Sequence, residues 1–457
     1  MELHWNLKIG IFRDMQIKTK SILTLFLIPV FLATVGLGCK RSCAPGQPGG
    51  TIKKQSIELN FWGIFTESSQ IEPIIKAFEA QNPNIKIKYK NFGNDYPNYR
   101  TEIFNALAQG KGPDIWMVHH TWVKRDKDFL TPCPLELCNP QNFKDTMVKA
   151  AVDDSIVDGS IYAMPWSLDT LALFYNKDLF NQAHILNPPG TWEEFTEDVK
   201  KLTKQNEKGQ IIQAGAAIGT GQNINRAPDI LALLMMQNGA RMTDINRTTV
   251  TFNTFNAASP NSNEEQKILP AEQAFQFYTD FASPKKETYT WNSLQHYSID
   301  AFVEGTLAMM FSYSYHVPTV KLKAPNLDFG VSLMPQVAGG REVNFANYWT
   351  NVVAAKTLYP KEAWSFLAFA AQKDIMQKFC EDSRRPPARR DLYQMFDNDP
   401  ELKPFTNQIL TAESWYRADN DKTDAIFEEM IENVILGKKN ISEAMKEAVA
   451  EIQATMK

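Results

Sequence analysis

Apolar and polar residues alternate along the chain with two different periods, and the order of these periods predicts strands and helices in turn. Residues 56–62 and 85–89 alternate toward apolar ends, as half-buried strands do. Between them, residues 68–81 place apolar side chains at helical spacing, namely Ile71, Ile74, Ile75 and Phe78. A strand, a helix and a second strand predict parallel pairing with a right-handed crossover, and therefore an α/β layered fold.

The same alternation continues through the rest of the chain. A helix over residues 99–109 and a buried strand over residues 113–118 repeat the first unit. Thr191, followed three residues later by Glu194, marks another helix start through a capping box. Further helices are predicted over residues 191–204, 229–237, 271–282, 360–372, 422–436 and 442–456. Short apolar strands between them complete the α/β pattern.

Residues 1–38 have the pattern of a cleaved secretory signal. Lys18 and Lys20 precede a short apolar run over residues 22–33, and small residues follow. The run is too short for a permanent spanning helix, and Pro29 weakens it further in that role. The folded part of the chain is therefore expected to begin after the signal, outside the cytoplasm.

The residues around this signal lead to two further predictions. Glu2 and Asp14 are acidic groups that the basic region of a signal normally lacks, so we expect translation to start at Met15. Gly38, which ends the signal, and Cys39, which follows it, resemble a bacterial lipobox, and this resemblance predicts lipidation at Cys39. Residues 39–51 would then form a lipidated, Pro/Gly-rich flexible tether to the cell membrane, on its periplasmic or external face. An uncleaved signal anchor is the alternative, and it gives the same topology.

Composition and charge narrow the class of protein. With 457 residues, 44% of them hydrophobic and 22% charged, the chain is too long for one core and suits two globular lobes. The net charge is −4, and because the first 38 residues carry four basic and two acidic groups, the remainder carries −6. An acidic balance of this size argues against a nucleic-acid partner.

Five cysteines are too few for a disulfide scaffold. Cys133 and Cys138 flank a short segment with two prolines, a spacing that suits a small loop closed by a disulfide in an exported protein. A zinc site at this pair is less favoured, because no second pair of ligands follows at a suitable spacing. Cys43 and Cys380 are expected to be unpaired, with Cys380 in a helix core.

A series of short motifs, taken in order, resembles a known family. The motifs are Phe61-Trp62-Gly63, Phe78 to Pro83, Gly112-Pro113-Asp114-Ile115, Tyr162-Ala163-Met164-Pro165, Leu173 to Phe180, Thr191 to Phe195, Ala301 to Met310 and Gly330 to Pro335. Together they resemble family 1 extracellular solute-binding proteins of ABC importers, nearest in style to the maltose-binding type. The resemblance covers nearly the whole chain after the signal.

The resemblance implies a two-lobed periplasmic-binding-protein fold of the type II style, α/β in class. Each lobe would be a sheet flanked by helices, and hinge crossings of the chain would make both lobes discontinuous. The first crossing maps near residues 165–171, a return to the first lobe near Asp300, and a second exit near residues 330–335. The first lobe would then comprise residues 52–167 plus 300–330, and the second lobe residues 168–299 plus 331–457.

The resemblance also implies that a ligand is held between the lobes. Sugars offer apolar faces ringed by hydroxyls, so a sugar site needs aromatic rings and hydrogen-bonding groups. The aromatic candidates at the mapped cleft loops are Trp62, Trp122, Trp166, Tyr313, Tyr315, Trp349 and Trp415. For each of them, core packing is the alternative interpretation.

Polar candidates at the same loops are Glu67, His119, Asp169, Arg226 and Arg385. Asp169 follows the crossing proline, where the maltose-binding type has an acidic residue, and its carboxylate could accept hydrogen bonds from sugar hydroxyls. The alternative role for Asp169 is an ion pair that stabilises the hinge. Arg385 lies in a loop with three other arginines, which could be a solvated basic loop or could favour an anionic sugar. His119 precedes a second histidine, but neighbouring strand residues face opposite sides, so no metal site is predicted.

The leading hypothesis is the substrate-binding component of an ABC importer, without enzymatic activity or cofactor. It would bind a carbohydrate, in particular an oligosaccharide, as a monomer, and deliver it to permease subunits with a cytoplasmic ATPase. No phosphate-binding glycine loop, nucleophile elbow or metal-binding helix motif is present in the sequence. The alternatives are a binding protein for a polyamine or glycerol phosphate, and an exported carbohydrate-active enzyme using Glu67 and Asp169.

Overall fold

The computed structural model of the chain describes residues 56–254 and 269–456. The predicted signal, the lipidation site at Cys39 and the tether lie outside the described residues. The strands are β1 (Ile57–Gly63), β2 (Ile85–Asn91), β3 (Ile115–His119), β4 (Ile156–Val157), β5 (Ser160–Ile161), β6 (Ala163–Met164), β7 (Asp169–Thr170), β8 (Ala172–Asn176), β9 (Lys204–Gln205), β10 (Ile211–Ala216), β11 (Leu307–Ser312), β12 (Phe329–Ser332), β13 (Asn344–Asn347), β14 (Trp349–Val353) and β15 (Ala412–Glu413).

Helices cover both faces of the larger sheets. They are α1 (Ser68–Gln81), α2 (Tyr96–Ala108), α3 (Trp122–Arg125), α4 (Pro140–Thr146), α5 (Lys149–Ser155), α6 (Lys177–Gln182), α7 (Trp192–Leu202), α8 (Ala227–Gln237), α9 (Pro270–Asp280), α10 (Ser298–Val303), α11 (Val317–Lys323), α12 (Pro360–Ala370), α13 (Lys373–Ser383), α14 (Lys403–Gln408), α15 (Asn420–Ile435) and α16 (Ile441–Thr455). Short 3₁₀ turns span Lys127–Phe129, Ser314–His316 and Arg390–Leu392. No helix among the described residues is both long and apolar enough to cross a membrane.

The first lobe is built on a five-stranded sheet in the order β2-β1-β3-β14-β6. β1 pairs in parallel with β2 and β3, as the strand-helix-strand pattern predicts, whereas β14 runs antiparallel between β3 and β6. The four apolar residues predicted for the buried face of α1 are all buried, and α1 packs on β2, α12 and α13. The first lobe comprises residues 56–168 and 346–392, which share one hydrophobic core.

The second lobe is built on a separate five-stranded sheet in the order β12-β8-β11-β10-β9. Only β10 and β11 pair in parallel in this sheet, and the other neighbours are antiparallel. The capping box predicted at the start of α7 is present, because Thr191 Oγ1 accepts from the Glu194 amide at 3.2 Å while Glu194 Oε2 accepts from the Thr191 amide at 3.3 Å. Residues 171–345 and most of residues 396–456 share the core of this lobe.

Three short strands form a hinge sheet between the lobes, in the order β15-β13-β7. At the first crossing, Leu168 packs in the first core and Leu171 in the second, within the range 165–171 where the resemblance places it. The second crossing occurs within β13, where Phe345 belongs to the second core and Ala346 to the first. The third crossing lies between Leu392 in the first core and Phe396 in the second. Pairing of β13 with both β7 and β15 gives the hinge a defined hydrogen-bonded geometry.

The structure corrects the predicted lobe boundaries. Residues 300–330, which the resemblance assigned to the first lobe, include β11, and β11 lies between β8 and β10 in the second sheet. The chain returns to the first lobe only with β14, α12 and α13, so residues 346–392 are first-lobe residues rather than second-lobe residues. Every residue of β11 is buried, so its apolar run carries no alternation that could indicate which sheet it joins.

The cysteines of the first lobe occupy two different environments. Cys133 and Cys138 form a disulfide with a Cα–Cα distance of 5.9 Å, which confirms the predicted small loop. Cys380 is a free thiol in α13, buried in the first core, as expected. Burial raises the pKa of the Cys380 thiol above its ordinary value, so this cysteine behaves as an apolar core residue.

Candidate functional site

A cavity of about 1040 Å³ lies where the two lobes and the hinge meet. Its wall combines the end of β3 and α3 from the first lobe, the hinge strands β7 and β13, and the start of α15 from the second lobe. Seven of the predicted ligand-binding residues line it: His119, Trp122, Asp169, Arg226, Tyr315, Trp349 and Arg385. A volume of this size is at the upper end of the range for small-molecule sites, so the cavity can enclose a ligand larger than a monosaccharide.

One side of the cavity is aromatic. Trp349 lies edge-to-face with Trp122 at 5.6 Å, with Phe65 at 5.3 Å and with Tyr96 at 6.0 Å between ring centroids. The Trp122 indole N–H is buried and has no hydrogen-bond partner among the described residues, so it is the ring of Trp122 that contributes to the wall. The aromatic side therefore offers flat apolar surface to the cavity.

Asp169 projects from hinge strand β7 into the cavity. Its Oδ1 accepts from the Thr170 amide at 2.9 Å, and its Oδ2 accepts from the amide and hydroxyl of Ser314 at 3.0 and 2.7 Å. Loss of solvent raises the pKa of Asp169 to about 7, although these hydrogen bonds favour the ionised form. No cation lies within ion-pair distance among the described residues, so the hinge ion pair weighed as an alternative is absent there.

Arg385 lies in the loop after α13 and faces the same cavity. One guanidinium nitrogen donates to Thr66 Oγ1 at 3.0 Å and the other donates to the carbonyl of Phe65. Among the described residues, no carboxylate lies within 4.0 Å of this guanidinium, and burial lowers the pKa of Arg385. Asp169 is the acidic group whose charge acts on it across the cavity, so an acceptor and a donor face the ligand space together.

Arg226 reaches the cavity from the start of α8, but its charge is neutralised by a buried network. Its Nε and Nη2 donate to both oxygens of Asp229 at 2.7 and 2.9 Å, and Nη1 donates to Asp424 at 3.0 Å. Arg417 donates to Asp424 at 2.7 Å and to Asp229 at 3.5 Å. Although burial alone would raise the pKa of Asp229, the Arg226 and Arg417 guanidinium groups hold it below its usual value. Arg226 is thus held rigidly rather than free to pair with an anion.

His119, at the end of β3, has both ring nitrogens occupied. Nδ1 lies 2.7 Å from the Asn420 amide nitrogen, which can only donate, so Nε2 carries the hydrogen and donates to Asn347 Oδ1 at 2.8 Å. Burial, followed by the charges of His120 and Arg417, lowers the pKa of His119 well below its usual value. His119 is therefore a neutral residue that joins the two lobes and offers the ligand only its ring.

Comparison with known proteins decides the family. A family model described as bacterial extracellular solute-binding protein matches residues 73–404, which is well over half of the chain. The chain belongs to this family of extracellular solute-binding proteins. As a member of an extracellular family, the protein works outside the cytoplasm.

The solute-binding protein is similar to several known proteins. A Brucella abortus protein named only as a binding protein is 24% identical over 399 residues, covering 84% of this chain and 89% of the relative. The multiple sugar-binding protein of Streptococcus mutans is 22% identical over 370 residues, covering 79% of this chain and 81% of the relative. Among solved structures, the cyclic alpha-maltosyl-1,6-maltose binding protein of Arthrobacter globiformis has a TM-score of 0.72 at 17% identity, covering 88% of this chain and 99% of that one. This structural likeness confirms the two-lobed fold.

Five of the predicted ligand-binding residues of the solute-binding protein lie outside the cavity wall. Trp166 and Trp415 are core residues, 4% and 5% exposed, and the Tyr313 hydroxyl donates to Asp229 at 2.7 Å behind the wall. Trp62 packs on Phe92 and under the ammonium group of Lys90.

Glu67 is the fifth residue outside the cavity wall. It precedes α1, where its amide donates to Gln70 Oε1 at 3.0 Å and its carboxylate accepts from Asn91 at 3.2 Å. The carboxylate is therefore part of a helix start rather than of the ligand site, and it does not face Asp169 across the cavity. No group of three or more His, Cys, Asp or Glu within residues 56–254 and 269–456 could hold a metal ion.

Sequence reasoning missed many polar and aromatic residues of the wall, among them Tyr96, Asn347 and Asn420. Tyr96 begins α2, whose predicted start was three residues too late. Asn420 begins α15, and Asp419, the N-cap before it, accepts from the Lys422 amide at 3.2 Å. The Asp-Asn pair was a usable helix-start signal. Nothing local distinguishes Asn347, which is defined by its contacts with residues far away in sequence.

Proposed function

We propose that this solute-binding protein binds a neutral oligosaccharide in the cavity between its lobes and delivers it to the permease subunits of an ABC importer. A cytoplasmic ATPase partner would supply the energy, since the proposed role of this chain is binding alone, without a catalysed reaction. We further propose that the protein acts as a monomer held at the cell membrane by a lipid at Cys39. Lobe closure on the ligand would then be driven by the higher affinity of the closed form.

The observation that carries this proposal is the composition of the cavity wall. Aromatic rings cover one side, and the remaining wall presents hydrogen-bonding groups, which together match the apolar faces and hydroxyl rings of sugars. The Trp122 and Trp349 rings are the central features of the aromatic side. A metabolite without flat apolar faces would leave this side of the cavity poorly covered.

Charge in the wall favours a neutral ligand over an anion. Arg226 is paired as described, Lys321 lies 2.6 Å from Glu401, and Arg384 lies 2.8 Å from Asp399. Asp169, whose pKa is raised to about 7, and Arg385 line the cavity without an ion-pair partner among the described residues. A sugar hydroxyl can donate to the carboxylate and accept from the guanidinium, so vicinal hydroxyls would satisfy both groups.

The proposal is tested by a thermal-shift screen of the purified chain against maltotriose, mannotriose, an oligouronate, glycerol phosphate and spermidine. Ligand at 100 times its Kd stabilises the folded state by about 2.7 kcal/mol, which shifts the melting temperature measurably. We expect a shift with at least one neutral oligosaccharide. A shift with glycerol phosphate or the oligouronate alone would show that the ligand is an anion, bound at Arg385, rather than a neutral sugar. Release of shorter sugars during incubation would replace the binding role by an enzymatic one.

A further inference from the structure

A short segment of the second lobe, residues 244–249, contacts the first lobe outside the cavity. We call this segment the latch loop. The side chain of Asp244 stabilises its turn by accepting from the amides of Thr248 and Thr249 at 2.6 and 2.7 Å. Gln453 of α16 fixes the loop to the second lobe, because its Nε2 donates to the Thr248 carbonyl at 2.9 Å and its Oε1 accepts from the Val250 amide at 2.8 Å.

The first lobe contacts the tip of the latch loop through two charged groups. The Lys124 ammonium of α3 donates to the carbonyls of Asn246 and Arg247, the latter at 3.1 Å. The Arg247 guanidinium lies 3.4 Å from Oδ1 of Asp154 in α5. None of these residues lines the ligand cavity. The contacts therefore join the lobes without touching the bound solute.

The two carboxylate oxygens of Asp154 accept hydrogen bonds from different parts of the molecule. Oδ2 accepts from His120 Nδ1 at 2.8 Å, from the Tyr348 hydroxyl at 2.9 Å and from the Ser414 hydroxyl at 2.7 Å. Oδ1 has Arg247 as its side-chain donor among the described residues. Donors of the first lobe and the hinge therefore bind Oδ2 of Asp154, whereas its Oδ1 binds a group from the second lobe.

The Asp154 side chain is 3% exposed, so its carboxylate is a buried charge. A buried carboxylate costs free energy unless donors compensate it, and removing one partner leaves part of that cost uncompensated. Separation of the lobes would take Arg247 away from Oδ1, whereas closure would restore the pair. The ion pair consequently favours the closed arrangement irrespective of which solute occupies the cavity.

We propose that Arg247, Asp154 and Lys124 form an interlobe latch, with Arg247 a positioning residue that raises solute affinity by stabilising the closed state. The inference rests on the proposed function, because it takes closure on a bound sugar as the step being favoured. A substitution that acts only on the equilibrium between open and closed lobes changes the affinities of all ligands that require the same closure by one common factor. A residue that contacts the ligand instead changes different affinities by different factors.

The test compares Arg247→Met with Arg241→Met and Arg247→Lys. Arg241 is exposed, lies at the base of the same loop, and its guanidinium makes no hydrogen bond or ion pair within residues 56–254 and 269–456. Affinities and dissociation rates are measured for maltotriose and mannotriose. Arg247→Met is expected to weaken each sugar that binds by the same factor, about fivefold, through faster dissociation. Arg241→Met is expected to match the wild type, and Arg247→Lys to recover part of the loss.

Unchanged affinity in Arg247→Met would overturn the latch while leaving the proposed function intact, and unequal losses for the two sugars would place Arg247 in ligand contact instead. If neither sugar binds the wild type, the proposed function fails for these sugars, and X-ray scattering of the free protein becomes the test. Arg247→Met should then have a larger radius of gyration than the wild type and Arg241→Met. Equal radii would overturn the latch.

Discussion

The Asn420 amide nitrogen lies 2.7 Å from Nδ1 of His119 and joins the second lobe to the first inside the cavity. The Thr121 hydroxyl, 2.7 Å from Asn420 Oδ1, fixes the orientation of the amide. Asn420 and His119 are 301 residues apart in sequence and meet only because the chain crosses between the lobes. The contact places the start of α15 directly against the end of β3, next to Trp122.

Substitution of Asn420 tests whether this contact supports ligand binding. Asn420→Ala removes the donor to His119 and the acceptor for Thr121, so the closed state loses two interlobe hydrogen bonds. We expect affinity for the bound sugar to fall about thirtyfold, since two bonds of about 1 kcal/mol each oppose opening. Isothermal titration calorimetry measures the change. Asn187→Ala, at an exposed asparagine of the second lobe, is the control and should leave affinity unchanged. Equal affinity in both variants would show that the contact is incidental.

The Trp349 ring should carry a larger part of sugar affinity than tryptophans outside the cavity. Trp349→Ala removes the ring that Trp122, Phe65 and Tyr96 surround, and we expect affinity to fall by at least about tenfold. Trp62→Ala is the matched control, because Trp62 is half-buried in the same lobe but lies outside the wall. Its affinity should stay within about twofold of the wild type. Similar losses in the two variants would mean that the aromatic side does not hold the ligand.

Trp166 should contribute to stability rather than to binding. It lies edge-to-face with Phe61, Phe366 and Phe379 at 6.1, 6.0 and 5.6 Å in the first core. Trp166→Ala is expected to lower the free energy of unfolding by about 3–5 kcal/mol, measured by urea denaturation. If Trp166→Ala kept wild-type stability but no longer bound the ligand, Trp166 would be a ligand-binding residue instead.

The raised pKa of Asp169 predicts a pH-dependent contribution to the stability of the ligand-free protein. The folded-state pKa of about 7 exceeds the ordinary value of 3.8, so the contribution is fully present below about pH 4 and is lost as the pH rises through 7. The amide introduced by Asp169→Asn does not titrate, so wild-type stability relative to this variant should fall by roughly 2.5 kcal/mol between pH 5 and pH 8. Urea denaturation at both pH values measures the difference. A constant difference would indicate that Asp169 is already ionised at pH 5.

Local patterns in the sequence predicted the parts of the fold that local physics determines. The buried face of α1 follows from helical spacing, and the start of α7 follows from the hydrogen bonds of Thr191 and Glu194. The disulfide loop between Cys133 and Cys138 could be expected from its spacing, because the two half-cystines lie within one short turn. The first crossing followed from the resemblance and from no local signal.

The remaining errors concern choices that only tertiary contacts make. The sheet that β11 joins is set by its neighbours β8 and β10, since a fully apolar strand packs equally well in either lobe. Trp166 and Trp349 are indistinguishable in sequence because a core and a sugar site both select flat apolar rings. Burial separates them, with Trp166 in the first core and Trp349 at the cavity wall.

Calorimetric titration of the purified chain with maltotriose and mannotriose measures whether one neutral oligosaccharide binds between the lobes. We expect saturable heat with one sugar molecule per chain for at least one of the two, and a loss of at least about tenfold in affinity in Trp349→Ala. Absence of heat with both sugars, together with saturable binding of glycerol phosphate or spermidine to the same chain, would contradict this expectation.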